Sequence, residues 1–275
     1  MKSKRLSFFS IFISFITFFN ISSIFSFSTL TILIWDKKAY ALSKTDISKV
    51  AEEITVQING SVQGSGVLIK KVNDLYTVLT AWHVIKENSA NEEVIIKTYD
   101  GKTHIWQGDS LTQIGSIDLA TFTFKSQENY KLAKLGSSKN IREGNEVFIA
   151  GYPSSKTLNS KRDYRFKSGE VEEHKSYLLH NGYQIYYSNS TVRGMSGGSI
   201  LNKSGELIGI HGQAGKDQYL TNQLGKLVMT GTNSGIPISF YKSFLNGTKN
   251  LNYISDTITK NDFLERAEDL LGEKG

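Results

Sequence analysis

TVRGMSGGSILNKSGELIGIHG, residues 191–212, sets one serine, Ser196, among Gly194, Gly197 and Gly198 and leads straight into a β-type run. Glycines in such a turn ordinarily mean only that the backbone needs positive φ or a close approach. A serine hydroxyl is a weak nucleophile: it needs an aligned imidazole, an acid to orient that imidazole, and donors for a developing oxyanion. The stretch is thus either a tight turn between strands or the seat of a nucleophile, and the rest of the chain has to decide.

Upstream of it, short runs rich in Val, Ile, Tyr, Phe and Thr follow one another between turn signals: EITVQI, SVQGSGVLIKKV, LYTVLTAW, EEVIIKTYDGKTHIW, LATFTF, NEVFIAGYP and YQIYYSN. Asp100-Gly101 and Ser204-Gly205 fall where hairpin turns belong. Strands at this spacing without intervening helices predict an all-β protein of barrels or sandwiches. Helical pattern is expected chiefly at the end, as a short helix in IPISFYKSFLN and another over about 261–271, with Asn261 as N-cap and Gly272 as the stop.

Two further residues complete a set. YTVLTAWHVI puts His83 just after an apolar strand, and GSIDLATFTF puts Asp118 just before another. Singly, each has a dull reading as a structural histidine or a turn-forming acid. In the order His, Asp, Ser, each at a strand end, they form a far more specific pattern.

TAWHV, DLA, GYP and RGMSGGSILNKSGELIGIHG together resemble the trypsin-like (chymotrypsin-fold) serine peptidases, above all the bacterial glutamyl endopeptidases and related secreted enzymes, over about residues 50–246. The resemblance implies two packed antiparallel six-stranded β-barrels, about 50–140 and 145–240, within a peptidase domain over 42–246. It implies His83 as general base, Asp118 as its orienting acid, Ser196 as nucleophile, and the backbone N–H groups of Gly194 and Ser196 as the oxyanion hole. It also implies that Gly194 is bare to leave room for substrate.

The same resemblance bears on specificity. Ser190 stands where a trypsin carries the Asp that selects Lys or Arg, so that preference has no carboxylate behind it. The offsets at which glutamyl endopeptidases bind the substrate carboxylate fall on Thr191 and His211, which implies a preference for Glu before the scissile bond. Two residues depart from the family pattern: Met195 where Asp or Asn is usual, and Trp82 where a small residue is common. The chain also lacks the Ile-Val-Gly-Gly start of trypsin-type zymogens, so activation by that route is not predicted.

The net charge of +6 comes mostly from the N-terminus: residues 1–41 hold Lys2, Lys4, Arg5, Lys37 and Lys38 against Asp36. Setting these aside leaves 27 of the 32 basic and 25 of the 26 acidic residues, a net of +2, which gives no argument for nucleic acid. The basic start, the long Phe/Ile/Leu/Ser run and Ala39-Tyr40-Ala41 read as an export signal cut after Ala41, toward periplasm or medium. The apolar run is long enough to span a bilayer if left uncut, so a membrane anchor is the alternative. Whether residues 42–50 form a removable propeptide stays open. Residues 247–275 form a tail.

With no cysteine, disulfides and thiolate metal sites are excluded, and five scattered histidines give no zinc spacing, so no metal or cofactor is expected. The expected partners are polypeptide substrates. Gly194, Ser196 and Gly198 also satisfy the GxSxG of α/β-hydrolases. That fold needs the order Ser, acid, His and a helix after the serine, and neither occurs here. A non-catalytic peptide- or protein-binding module on the same barrels is the alternative function.

Overall fold

Period-two burial shapes the strands: in ATFTF, Ala120, Phe122 and Phe124 are buried while Thr121 and Thr123 face outward. The computed structural model describes residues 42–155, 161–175, 180–215, 219–221, 227–229 and 232–247, within a unit that begins at Leu42. The export signal and the helix expected over 261–271 lie outside the described residues.

The elements in chain order are α1 (Lys44–Ile54), β1 (Thr55–Asn59), β2 (Gln63–Val72), β3 (Leu75–Thr80), α2 (Trp82–Ile85), β4 (Ile95–Lys97), β5 (Thr103–Gln113) and β6 (Ala120–Lys125). There follow β7 (Glu146–Gly151), β8 (Arg165–His174), β9 (Ile185–Tyr187), β10 (Ser199–Leu201), β11 (Leu207–Gln213), β12 (Tyr219–Thr221), β13 (Leu227–Met229), β14 (Asn233–Pro237) and α3 (Ile238–Leu245). Two closed antiparallel barrels result, ordered β1-β2-β3-β6-β5-β4 and β10-β11-β14-β9-β8-β7, with β12 and β13 as a separate two-stranded sheet. Register shifts, as at Leu68/Lys70 in β2 and His211/Gln213 in β11, bend the strands and help each barrel close.

Each barrel has its own core. Val56, Tyr76, Trp106, Phe122 and Phe124 fill the first, and Val147, Tyr187, Met195 and Ile200 the second. A third cluster joins Leu79, Ile114, Ile117 and Leu119 of barrel 1 to Phe148, Ile210 and Ile236 of barrel 2, so the barrels share an apolar cluster where they meet.

Helix α1 differs from the sequence expectation, which starts a strand at Glu53 and places helices at the other end. Ser43 and Asp46 form a reciprocal capping box, and Ile47, Ala51 and Ile54 are buried on one face against both barrels. The Tyr164 hydroxyl donates to the Ser48 carbonyl (3.0 Å), and Lys44–Glu146 (2.6 Å) and Lys131–Glu53 (2.8 Å) flank the helix. Most of the 42–50 stretch is therefore docked against the folded body. The helix goes unannounced because its apolar spacing merges with the β-run that follows.

Candidate active site

His83 sits in the one-turn helix α2, directly beyond β3, and Asp118 in the turn between β5 and β6. The pairing of β3 with β6 brings these two ends together. The Asp118 carboxylate clasps His83 twice: Oδ1 accepts the His83 backbone N–H (2.7 Å) and Oδ2 lies 2.7 Å from the ring Nδ1. An ionised carboxylate only accepts, so Nδ1 carries the proton and Nε2 keeps its lone pair. The histidine side chain is 36% exposed and the acid 10%, which leaves the ring open to solvent and shields its partner.

Ser196 comes from barrel 2. It shares with His83 and Asp118 one cavity of about 760 Å³, lined also by Trp82, Lys86, Arg193, Gly194 and Gly212. Its hydroxyl donates to the Gly212 carbonyl (2.9 Å). Among the described residues no hydrogen bond joins it to His83.

The loop before Ser196 is held by its own carbonyls. The Arg193 carbonyl accepts from Ser154 N–H (2.8 Å) and the Val192 carbonyl from Met195 N–H (3.1 Å). The Gly194 carbonyl turns inward to the Ser65 hydroxyl (2.9 Å) and to Arg162 (3.3 Å). Among the described residues the N–H groups of Gly194 and Ser196 are left without an acceptor, which suits them to an incoming oxyanion.

Gly194 has a second reason to be bare, beside the room for substrate that the resemblance implies. At φ +92° an added Cβ would lie 2.2 Å from Ser154 N, so backbone conformation and backbone packing require glycine there, whatever the substrate's needs. Met195, 1% exposed, anchors the same loop by burial in the barrel 2 core, where an acidic residue would require an ionic partner. Trp82 packs its half-buried ring on the core of barrel 1 at the rim of the cavity.

The three residues singled out for specificity are not brought to this cavity. Ser190 is exposed and is not among the lining residues. Thr191 is buried and its hydroxyl donates to Asn233 Oδ1 (2.6 Å). His211 is 1% exposed, with Nδ1 2.6 Å from the Tyr187 hydroxyl. Residues 216–218, 222–226 and 230–231, between these and β14, lie outside the described residues.

Burial, aided by His83, lowers the pKa of His211 to about 3 from its ordinary 6.5. Between those values the unfolded chain binds the proton and the folded chain does not, so stability is lost as pH falls through 6.5. From pH 7 to pH 5 this one group is expected to remove about 2 kcal/mol. Urea unfolding at both pH values checks it: His211→Gln should show a smaller drop than the wild type, and equal drops would contradict it.

Sequence reasoning passes over three residues that build the site: Ser65, Arg162 and Tyr183. The Tyr183 hydroxyl donates to Asp118 Oδ2. Ser65 N–H donates to the Ser196 carbonyl (2.8 Å), and Ser65 Oγ accepts from Tyr152 N–H (2.9 Å). Each acts across the barrel interface, and none stands in a local motif. Among the described residues there is no cluster of three or more metal-ligating side chains, and no helix is long and apolar enough to cross a membrane.

Two closed six-stranded barrels meeting at a cleft with a His–Asp pair and a glycine-flanked serine define the chymotrypsin-like class of hydrolases. The family described as "Trypsin-like peptidase domain" matches residues 64–210, and the chain belongs to it; it is a serine endopeptidase. It is 29% identical to exfoliative toxin A of Staphylococcus aureus over 211 residues, 64% of this chain and 70% of that protein. It is 30% identical to the Do-like serine protease HtrA of Bacillus subtilis over 158 residues, 55% of this chain but 33% of that protein, so it spans about a third of this relative. The solved HtrA-type protease AlgW with tripeptide matches with TM-score 0.55 at 21% identity, covering 76% of this chain and 64% of that one, a likeness of fold.

Proposed function

We propose that the protein is an exported endopeptidase that cuts through a His83–Asp118–Ser196 triad and an acyl-enzyme, with preference for Glu before the scissile bond. The observation that carries the triad is the double clasp of Asp118 on His83, in one cavity with a serine beside two acceptorless N–H groups. Ser196 Oγ attacks the peptide carbonyl carbon as its proton passes to His83 Nε2, and Asp118 stabilises the imidazolium. The carbonyl oxygen, now anionic, takes the N–H groups of Gly194 and Ser196. Collapse breaks the C–N bond and the imidazolium protonates the departing amine. Water, deprotonated by His83, then releases the acyl group as a carboxylic acid.

Export is supported by the folded unit beginning at Leu42, directly after the expected cleavage at Ala41. The acidic preference is supported by charge. Lys86 and Arg193 line the cavity, and its one carboxylate among the described residues, Asp118, is already engaged. Exposed Glu87 lies 3.4 Å from Lys86 and offsets part of its charge, whereas Arg193 has no ion-pair partner among the described residues, so the balance at the cavity stays positive.

Chromogenic peptides differing only at the residue before the cut test the preference. Glu is expected to exceed Gln in kcat/KM by about ten- to a hundredfold, the worth of a charge-assisted hydrogen bond. A best substrate with Leu or Arg would end the acidic reading and leave the peptidase reading intact.

A further inference from the structure

The carboxylate proposed to orient His83 belongs to barrel 1, yet barrel 2 grips it. Residues 181–183 precede β9 and reach across the interface to the turn that carries Asp118. Asp118 N–H donates to the Asn181 carbonyl (3.0 Å). Gly182 approaches so closely that an added Cβ would lie 3.1 Å from Ile117 side-chain atoms. Asn181 (φ 64°) and Gly182 (φ 84°) are both left-handed, so this turn holds a bend that most residues resist and that Asn and Gly tolerate.

Tyr183 completes the grip. Its hydroxyl donates to Asp118 Oδ2, the oxygen that also receives His83 Nδ1–H. The tyrosine is 5% exposed, and burial, with the neighbouring carboxylate, pushes its pKa well above 10, so the hydroxyl keeps its proton. The ring also fills the space where a Cβ on residue 212 would lie, at 2.2 Å from Tyr183 Cε1 and 2.3 Å from its hydroxyl oxygen. Gly212 is the residue whose carbonyl receives the Ser196 hydroxyl. One side chain therefore abuts both the acid and the strand that faces the nucleophile.

We propose that Tyr183 is a positioning residue: its hydroxyl, reaching across the barrel interface, fixes the rotation of the Asp118 carboxylate and thereby the imidazole of His83 relative to Ser196. This rests on the triad reading. Without the hydroxyl, a buried carboxylate oxygen loses one of its two donors and the group is freer to turn about its Cβ–Cγ bond. Docking of the barrels and assembly of the triad would then be one event, because the acid is locked only when both halves are folded against each other.

Tyr183→Phe, which removes one oxygen, tests this in the full chain. Labelling of Ser196 by a fluorophosphonate and kcat on a peptide substrate are expected to fall about ten- to a hundredfold, with KM unchanged. The proton resonance of His83 Nδ1–H is expected to move downfield, since Oδ2 then carries more charge toward the ring. A fluorinated tyrosine at 183, which keeps the ring and donates more strongly, should move that resonance upfield, and it serves as the test if the phenylalanine variant fails to fold. Wild-type rates and an unmoved resonance in both proteins would overturn the proposal while leaving the triad standing. A wild type that takes no label at Ser196 would remove the triad reading, and Tyr183's role with it.

Discussion

Ser196→Ala is expected to lower kcat by roughly a millionfold while the protein stays folded, the loss typical when the nucleophile of such a triad is removed. The substitution takes away one oxygen whose only hydrogen bond among the described residues is to the Gly212 carbonyl. That carbonyl already lies beside the cavity, so little structural cost follows. The backbone holding residue 196 is fixed independently, by Ser65 N–H on its carbonyl and by the pair of bonds that Gly197 N–H and His211 N–H make between the loop and β11. Residual turnover of about a thousandfold over water would come from the oxyanion donors and substrate binding alone. Hydrolysis of a peptide ester by purified variant and wild type, with matched urea midpoints, measures the ratio. A variant that retained more than a few per cent of the rate would mean that the bond is cut elsewhere.

Arg162→Met is expected to destabilise the fold by about 3–5 kcal/mol and to depress turnover in what remains folded. Arg162 is 4% exposed and has no carboxylate partner among the described residues. Its guanidinium donates to the carbonyls of Pro153 (3.0 Å), Ile58 (3.0 Å), Gly64 (2.8 Å), Tyr152 (2.6 Å) and Gly194 (3.3 Å), and to Asn59 Oδ1 (2.8 Å). Burial lowers its pKa to about 10, which still leaves it charged at pH 7. The acceptors come from β1 and β2 of barrel 1, from the loop after β7, and from the loop ahead of the nucleophile. Methionine replaces the apolar stem of the side chain but offers none of these carbonyls a donor, and buried carbonyls without donors are costly. The Gly194 carbonyl would keep only Ser65, so the peptide plane next to the oxyanion donors loses one of its two tethers. Urea unfolding read by tryptophan fluorescence, with kcat taken on the same preparations, checks both effects. A loss below about 1 kcal/mol would indicate that water replaces the guanidinium.

Local pattern explains how much of the fold is legible in the sequence. The β-rich runs foretell strands: the period-two order of ATFTF sets which of its faces turns to a core, and the apolar run NEVFIAG is buried along almost its whole length. The helix in IPISFYKSFLN likewise appears as α3. His83, Asp118 and Ser196 stood out because each is a polar residue set against an apolar strand, in an order that only one common hydrolase fold uses. Helix α1 escaped notice because its three buried residues make sense only once both barrels are present to receive them.

By itself, then, the sequence determined the all-β class, most of the strands and the candidacy of His83, Asp118 and Ser196, because these depend on side-chain period and short-range turn chemistry. Only the tertiary structure decided what those residues touch. Tyr183 meets Asp118 across 65 positions and Arg162 meets Ile58 across 104, and contacts at such separations are selected by how two closed barrels dock, which no stretch of neighbouring residues encodes. Packing inside barrel 2 likewise chose the partners of Thr191 and His211, which pair with Asn233 and Tyr187, since a buried hydroxyl and a buried imidazole must find polar groups that the closed barrel brings within reach.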